Sequence, residues 1–426
     1  MPLLPTFLAQ VIVVLAVARF VGYLFRKIRQ PQVIGEMVAG ILLGPSLLGW
    51  IAPGVSAALF SPDNLEFMNL LSQIGLVLFM FLVGLELDLY LFRGRGRLAV
   101  LVSHVSITVP FILGILLALY LYPILSDDRV TFASFALFLG AAMSITAFPV
   151  LARILSERNL LRTHLGTVSI ACAAINDVTG WIILAVVVLI TRRSGATIPL
   201  WWTLTGVAAY ICFMLFGLRR LLIRLEAIYE RRGGITQEIL ALILLVVLAS
   251  SWVTESLGVH ALFGAFLAGA VMPRHHKFAQ ALTEKLHDLT VVLFLPLFFA
   301  FTGLRTSIAL VDGMDMWFYT GLIVACAIAG KFGASTIAAR LSGMSWREAG
   351  ALGTLMNTRG LMELVLLNIG LEIGVISPAL FSMFVFMALF TTFMTAPVLE
   401  WVYFSRIFPR KDEVVEEHPQ GITPDF

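Results

Sequence analysis

The sequence predicts an all-α protein that crosses a lipid bilayer about thirteen times. Three observations point there. Of its 426 residues 59% are hydrophobic and only 13% charged, where soluble domains carry about a quarter charged. The mean hydropathy is +0.95. The apolar residues also gather in runs long enough to span a membrane, so lipid must be the solvent for most of the surface.

Reading apolar runs of about 17–25 residues places the spans. They fall near 4–24, 33–50, 65–88, 98–122, 131–155, 163–190, 200–222, 236–257, 259–273, 286–304, 315–339, 347–371 and 377–403. The ninth is short. The first has no basic n-region and no small-residue cleavage site, so it is expected to stay as a helix. A transmembrane domain is thus expected over 1–405, with a short cytoplasmic tail over 406–426.

Lys and Arg alternate between loops in step with these spans. One set of loops holds Arg26, Lys27, Arg29; Arg93, Arg95, Arg97; Arg153, Arg158, Arg162; and Arg219, Arg220, Arg224, Arg231, Arg232. The same set continues with Arg274, Lys277, Lys285; Arg340, Arg347; and Arg406, Arg410, Lys411. The other set holds Arg129, Arg192, Arg193 and Arg305. Cytoplasmic loops carry the basic excess, so the N-terminus is expected outside and the C-terminus in the cytoplasm.

Two stretches echo two others. Gly35-x-x-x-Ala39-Gly40 followed by Pro45 resembles Gly264-x-x-x-Ala268-Gly269 followed by Pro273, and Phe81-x-x-Gly84-Leu85 loosely resembles Phe299-x-x-x-Gly303-Leu304. The first pair lies on spans 2 and 9, the second on spans 3 and 10. An odd offset of seven spans would insert the two halves upside down, giving a 6+1+6 inverted repeat. The first repeat would run over about 4–190, a linker helix over about 200–222 and the second repeat over about 236–403. Small-residue motifs also serve plain helix packing, but inverted repeats recur in transporters.

Ionisable residues at membrane depth are costly and mark function. Asn176-Asp177 lies midway along span 6. Burial favours the protonated form of a carboxyl and a nearby cation the ionised form, so one Asp can hold either a proton or a desolvated alkali ion. Lys331 lies midway along span 11, where a buried ammonium needs a partner, and Asp177 is the expected one. Span 5 reads Ser144-Ile145-Thr146-Ala147-Phe148-Pro149, and span 12 reads Gly353-Thr354-Leu355-Met356-Asn357-Thr358-Arg359-Gly360. Proline mid-helix and a Gly-polar cluster both break the helical ladder. The two breaks correspond under the offset of seven, a pattern that points to a central site. Ser144 and Thr146 are therefore candidate ligands beside Asn176 and Asp177. Arg359 and Glu363, four apart, are expected to face each other, with a structural role favoured. Glu36, Glu86 and Glu400 lie nearer span ends and are read as interfacial and solvated.

Other classes fit less well. The net charge of +3 is small and spread over short loops, so no nucleic-acid partner is expected. Cys172, Cys212 and Cys326 lack metal-ligand spacing and read as buried small hydrophobes; no metal or other cofactor is expected. A gated cation channel or potassium efflux system is the main alternative, but no filter-like repeated loop is present. An intramembrane enzyme would need a motif such as His-Glu-x-x-His, which is lacking.

Ala-Ile-Asn-Asp-Val at 174–178, Ala-Leu-Phe-Gly-Ala-Phe-Leu-Ala-Gly at 261–269 and Asn-Thr-Arg-Gly-Leu-Met-Glu-Leu at 357–364 resemble the monovalent cation:proton antiporter-2 family. Plant cation/proton exchangers and their bacterial Na+(K+)/H+ antiporter relatives are the members they look most like. The resemblance covers nearly all thirteen spans and implies a sodium/proton-antiporter-like fold, with spans 5 and 12 as discontinuous crossing helices. It implies a homodimer in a bacterial plasma membrane, each protomer having a dimerisation part and a mobile core. Asp177 would carry both ion and proton, with Lys331 as charge partner and Asn357, Thr358, Arg359 and Glu363 on the second crossing helix. Many relatives have two adjacent aspartates on span 6, whereas Asn176 stands first here. That favours one proton per monovalent cation with no net charge moved, but Lys331 is the residue that charge-moving relatives carry at the facing position, so the pattern is mixed. The short tail implies that a regulatory nucleotide-binding domain is lacking from this chain.

Overall fold

A computed structural model of the chain describes residues 3–404 apart from 29, 61, 87–95, 128, 159, 161–162, 192–199, 233, 258–259 and 274–275. The loop residues Arg29, Arg93, Arg95, Arg162, Arg192, Arg193 and Arg274, and the tail from 405 onward, lie outside the described residues.

Every regular element among the described residues is helical. The first half comprises α1 (Leu3–Lys27), α2 (Gln32–Leu43), the short α3 (Leu48–Ile51) and α4 (Pro53–Leu59), α5 (Pro62–Glu86) and α6 (Gly96–Leu125). It continues with α7 (Phe132–Ser144), α8 (Phe148–Glu157) and α9 (His164–Thr191). A long connecting helix runs from α10 (Leu200–Cys212) through a π-helical stretch into α11 (Arg219–Arg232). The second half holds α12 (Gln237–Ser256), α13 (Ala261–Ala270), α14 (His276–Leu289), α15 (Leu295–Leu304), α16 (Gly313–Ile328) and α17 (Ala334–Leu341). It ends with α18 (Trp346–Met356), α19 (Leu361–Glu372) and α20 (Pro378–Leu399). Among the described residues, ten helical stretches are long and apolar enough to cross a bilayer. The expected spans 5 and 12 are not among them because each is broken into two half-helices, and span 9 is only the ten residues of α13.

The outer surface is what a lipid-facing protein requires. Ile12, Phe20, Leu116, Leu245, Trp252 and Phe318 are all exposed, and an aqueous surface that apolar would drive aggregation. Cys212 is exposed and Cys326 half-buried, so only Cys172 is the buried small hydrophobe the sequence suggested. Those two lie in apolar runs because lipid, not protein, surrounds their side of the helix.

Helix contacts fall into two groups. In one, α1, α2, α5, α12, α13 and α15 pack on each other; in the other, α6, α7, α9, α16, α17, α18, α19 and α20 do so, with α8 on α9. Glycines set the closest approaches in the first group. A Cβ on Gly40 of α2 would lie 2.1 Å from the Ala300 carbonyl oxygen of α15, and one on Gly269 of α13 would lie 2.1 Å from the Phe81 carbonyl oxygen of α5. Both distances are far inside van der Waals contact, so the backbones meet only because no side chain stands between.

Two polar side chains outside the site are paired with neighbours. Arg19, deep in α1, donates to the Val292 carbonyl at 2.7 Å. Val292 lies in the π-helical stretch Thr290–Phe294 between α14 and α15, where the widened turn loosens backbone pairing. Glu36 is buried, accepting from Gln32 at 2.8 Å, so its expected solvation is corrected: it sits one turn into α2, under the cover of its neighbours.

Candidate functional site

The two broken helices meet at their gaps. Pro149 has no N–H to give the Ile145 carbonyl, so α7 cannot run on. Pro149 is instead the second residue of α8, where a missing donor costs nothing. Between them Ile145 is extended, and Thr146 and Ala147 lie outside any helix. The second gap, Asn357–Gly360, is held by α20. Arg359 N–H donates to Thr392 Oγ1 at 2.9 Å, and that hydroxyl donates back to the Arg359 carbonyl at 2.7 Å. One side chain thus replaces both halves of a lost ladder step. The gaps are then tied to each other by the Ala147 N–H, which donates to the Thr358 carbonyl at 3.0 Å.

Each gap also serves the other's dangling helix end. Four carbonyls at every helix C-terminus lack intrahelical donors. Thr146 Oγ1 donates to the Met356 carbonyl, the last of α18, at 3.1 Å. Arg359 reaches the end of α7, giving one Nη to the Ala142 carbonyl and the other to Met143, both at 2.8 Å. Its guanidinium also lies 3.2 Å from Glu363, and neither side chain has any exposure. The expected Arg359–Glu363 pair is present, with a second job that spacing on one helix did not foretell.

Thr146 is the hub of the site. Its hydroxyl accepts from Lys331 Nζ at 2.6 Å and from Asn176 Nδ2 at 3.1 Å while donating to Met356. A hydroxyl has one donor and two acceptor positions, so Thr146 is saturated. The other amide proton of Asn176 goes to Ser106 Oγ of α6 at 2.9 Å, and Ser106 donates to the Ser103 carbonyl at 2.9 Å.

Asp177 is buried beside this hub, 6% exposed. The backbone N–H of Phe148, first residue of α8, is its hydrogen-bond neighbour, so the carboxylate faces the positive end of a half-helix dipole. Among the described residues its Oδ1 accepts from no donor, nor does Oδ1 of Asn357 in the second gap. Buried oxygens without donors are costly to keep and are what a desolvated cation needs.

The direct Asp177–Lys331 pair expected from sequence is not formed among the described residues. Lys331 is fully buried and spends its short contact on Thr146. Its backbone lies in a π-helical turn, Ala329–Gly333, between α16 and α17, a bulge often found at functional positions. Ser144 and Thr358 are buried too, but their hydroxyls donate to their own helices, at Ala141 and Leu355. Ser106 was missed by the sequence reading: a serine within an apolar run carries no signal until α6 is seen to pack on α9.

Two broken helices meeting at their gaps, a buried carboxylate and a second buried charge set lie inside an apolar helical bundle, and the family described as "Sodium/hydrogen exchanger, transmembrane" matches residues 12–403. The chain belongs to that family. It is 43% identical over 399 residues to the "Na(+)/H(+) antiporter NhaS4" of Synechocystis sp., spanning 93% of this chain and 97% of that protein. It is 40% identical to "Cation/H(+) antiporter 17" of Arabidopsis thaliana and 35% identical to "K(+)/H(+) antiporter 1" of Saccharomyces cerevisiae. Each match covers 94% of this chain but 48% and 46% of those proteins, so the chain spans about half their length. Among solved structures, the sodium proton antiporter MjNhaP1 from Methanocaldococcus jannaschii superposes with a TM-score of 0.64 at 17% identity, over 93% of this chain and 96% of that one. That likeness extends the agreement to the fold.

Proposed function

We propose that the chain exchanges a monovalent cation, K+ or Na+, for protons across a bacterial plasma membrane by alternating access, with Asp177 as the shared carrier. The observation that carries this reading is the placement of Asp177 at the mouth of a half-helix, buried, with one oxygen free of donors beside the saturated Thr146 hub. Asn176, Ser106 and Lys331 position the hub; the transported ions are the only non-protein groups the cycle needs.

The reciprocal approaches of α2 to α15 and α13 to α5 support the 6+1+6 inverted reading and thirteen spans. The offset of seven exchanges one contact for the other, as a pseudo-two-fold axis in the membrane plane would. The N-terminus lies outside and the chain acts as a homodimer; the basic loops support the first, the family resemblance the second. A one-for-one, electroneutral cycle is favoured by Asn176 and by the engagement of Lys331 with Thr146. Loading Asp177 then breaks no ion pair that would release a second proton.

The experiment is transport in proteoliposomes with a pH-sensitive dye, scanning alkali ions with and without an imposed membrane potential. Cation-dependent proton movement indifferent to potential, and lost in Asp177→Asn, is expected. Substantial exchange by folded Asp177→Asn would sink the carrier assignment. Proton movement driven by potential, cation-dependent and lost in Lys331→Gln, would overturn the one-for-one cycle. Current carried by the cation alone would mean a channel.

A further inference from the structure

The two helix groups are bridged by a polar cluster at the end of the bundle where α1 begins. Glu372, the last residue of α19, is the centre. Its Oε1 lies 3.4 Å from an Arg305 guanidinium nitrogen at the end of α15, 3.4 Å from Asn69 Nδ2 and 3.5 Å from Gln73 Nε2 of α5. Arg305 also donates to Asn368 Oδ1 at 3.2 Å, and Asn368 Nδ2 donates to Thr302 Oγ1 at 2.9 Å. Nearby, the Ser307 N–H donates to Ser382 Oγ of α20 at 3.1 Å. In each of these contacts one partner belongs to the α5–α15 group and the other to the α19–α20 group.

The geometry is that of a clasp rather than a packing pair. Three donors from two helices converge on one carboxylate oxygen at long distances, with Arg305 24% and Glu372 31% exposed. Contacts of that length and exposure hold weakly one by one. Asn69, Gln73 and Glu372, with Ile369, Leu262 and His260, line a cavity of about 20 Å³, room for about one water. Weak, convergent and solvent-reachable contacts across a joint suit an element that must open and close. A fully buried pair such as Arg359–Glu363, which stays within one group, does not.

We propose that Arg305 and Glu372, supported by Asn69 and Gln73, form a latch that holds this end of the carrier shut and must release for the site to face that side. The inference rests on the alternating-access reading above, and its test separates the two. With Cys172, Cys212 and Cys326 replaced by serine, Ile369→Cys reports access to the cavity beneath the latch through its rate of reaction with a membrane-impermeant thiosulfonate. Gly54→Cys, which has open space around it at the same end, fixes the sidedness of the reagent. Adding Glu372→Gln should raise the Ile369→Cys rate several-fold, and the charge swap Arg305→Glu with Glu372→Arg should bring it back down. Rates unchanged by Glu372→Gln would overturn the latch, whatever the protein transports.

A second arm locks the same end. Ser307→Cys with Ser382→Cys, once oxidised, should slow exchange at least tenfold, and reductant should restore it. Fully cross-linked protein that exchanges at the reduced rate would overturn the proposal. Loss of exchange in the reduced protein as well as the parent would fail the antiport reading instead, leaving the labelling rates to decide the latch.

Discussion

The two helix gaps face each other, yet they are built from unlike parts. The first, Ile145–Ala147, carries no charge and contributes one saturated hydroxyl. The second, Asn357–Gly360, carries a fully buried guanidinium and is clamped by Thr392. Each repairs the other's broken helix end, but by different means: a hydroxyl caps α18 and a cation caps α7. The difference teaches that such a crossing needs compensation, not symmetry. The charge is placed on one side, and the other side, next to Asp177, is left neutral.

The comparison breaks hardest at Arg359. Arg359→Met keeps the length of the side chain but strands a buried Glu363 and uncaps Ala142 and Met143. Removing one partner of a buried ion pair costs about 3–5 kcal/mol, so a fall in melting temperature in detergent and loss of exchange are expected. Adding Glu363→Met removes the stranded charge and should recover much of the stability. Recovery should remain incomplete, because the α7 carbonyls still lack donors. Full recovery by the double variant would show that Arg359 acts only as the counter-ion of Glu363.

Thr146 sharpens the other side. Thr146→Val preserves shape and strands three partners at once: the Lys331 ammonium, an Asn176 amide proton and the Met356 carbonyl. Each buried group left unpaired costs about 1–3 kcal/mol, so stability should fall and exchange should drop at least tenfold. Thr146→Ser should restore most of both. A valine variant with normal exchange would remove the hydroxyl from the mechanism.

What the sequence made legible follows from what costs energy in lipid. Asp177, Lys331 and Arg359 stood out because a charge inside an apolar run is expensive wherever it points, and Pro149 because it cannot continue a helix. Direction was harder to read. Charge alone pairs Lys331 with Asp177, whereas its short contact is with Thr146. Ser106 gave no sign, since its role arises from which helix α6 touches. Glu36 looked interfacial by its distance from a span end, and only the packing around α2 buries it. Ser144 and Thr146, equal candidates two residues apart, separate once α7 ends at Ser144: one hydroxyl stays in its own helix and the other turns into the crossing.

The smallest effect expected is at Asn357, and its sign pattern is the informative part. Its Oδ1 is buried without a donor, a state that by itself lowers stability by about 1–3 kcal/mol. Asn357→Ala removes that oxygen and leaves a small gap, so the melting temperature should change little or even rise. If the oxygen is kept because a cation uses it, apparent affinity for the transported ion should weaken a few-fold while the maximal rate holds. Thr146→Val should lower both stability and exchange, so the two gaps would separate cleanly in a plot of one against the other. An Asn357→Ala protein that loses stability and keeps its ion affinity would reverse the assignment. Asn357 would then be a strut of the break, and the cation's ligands would lie wholly on the α7–α9 side of the crossing.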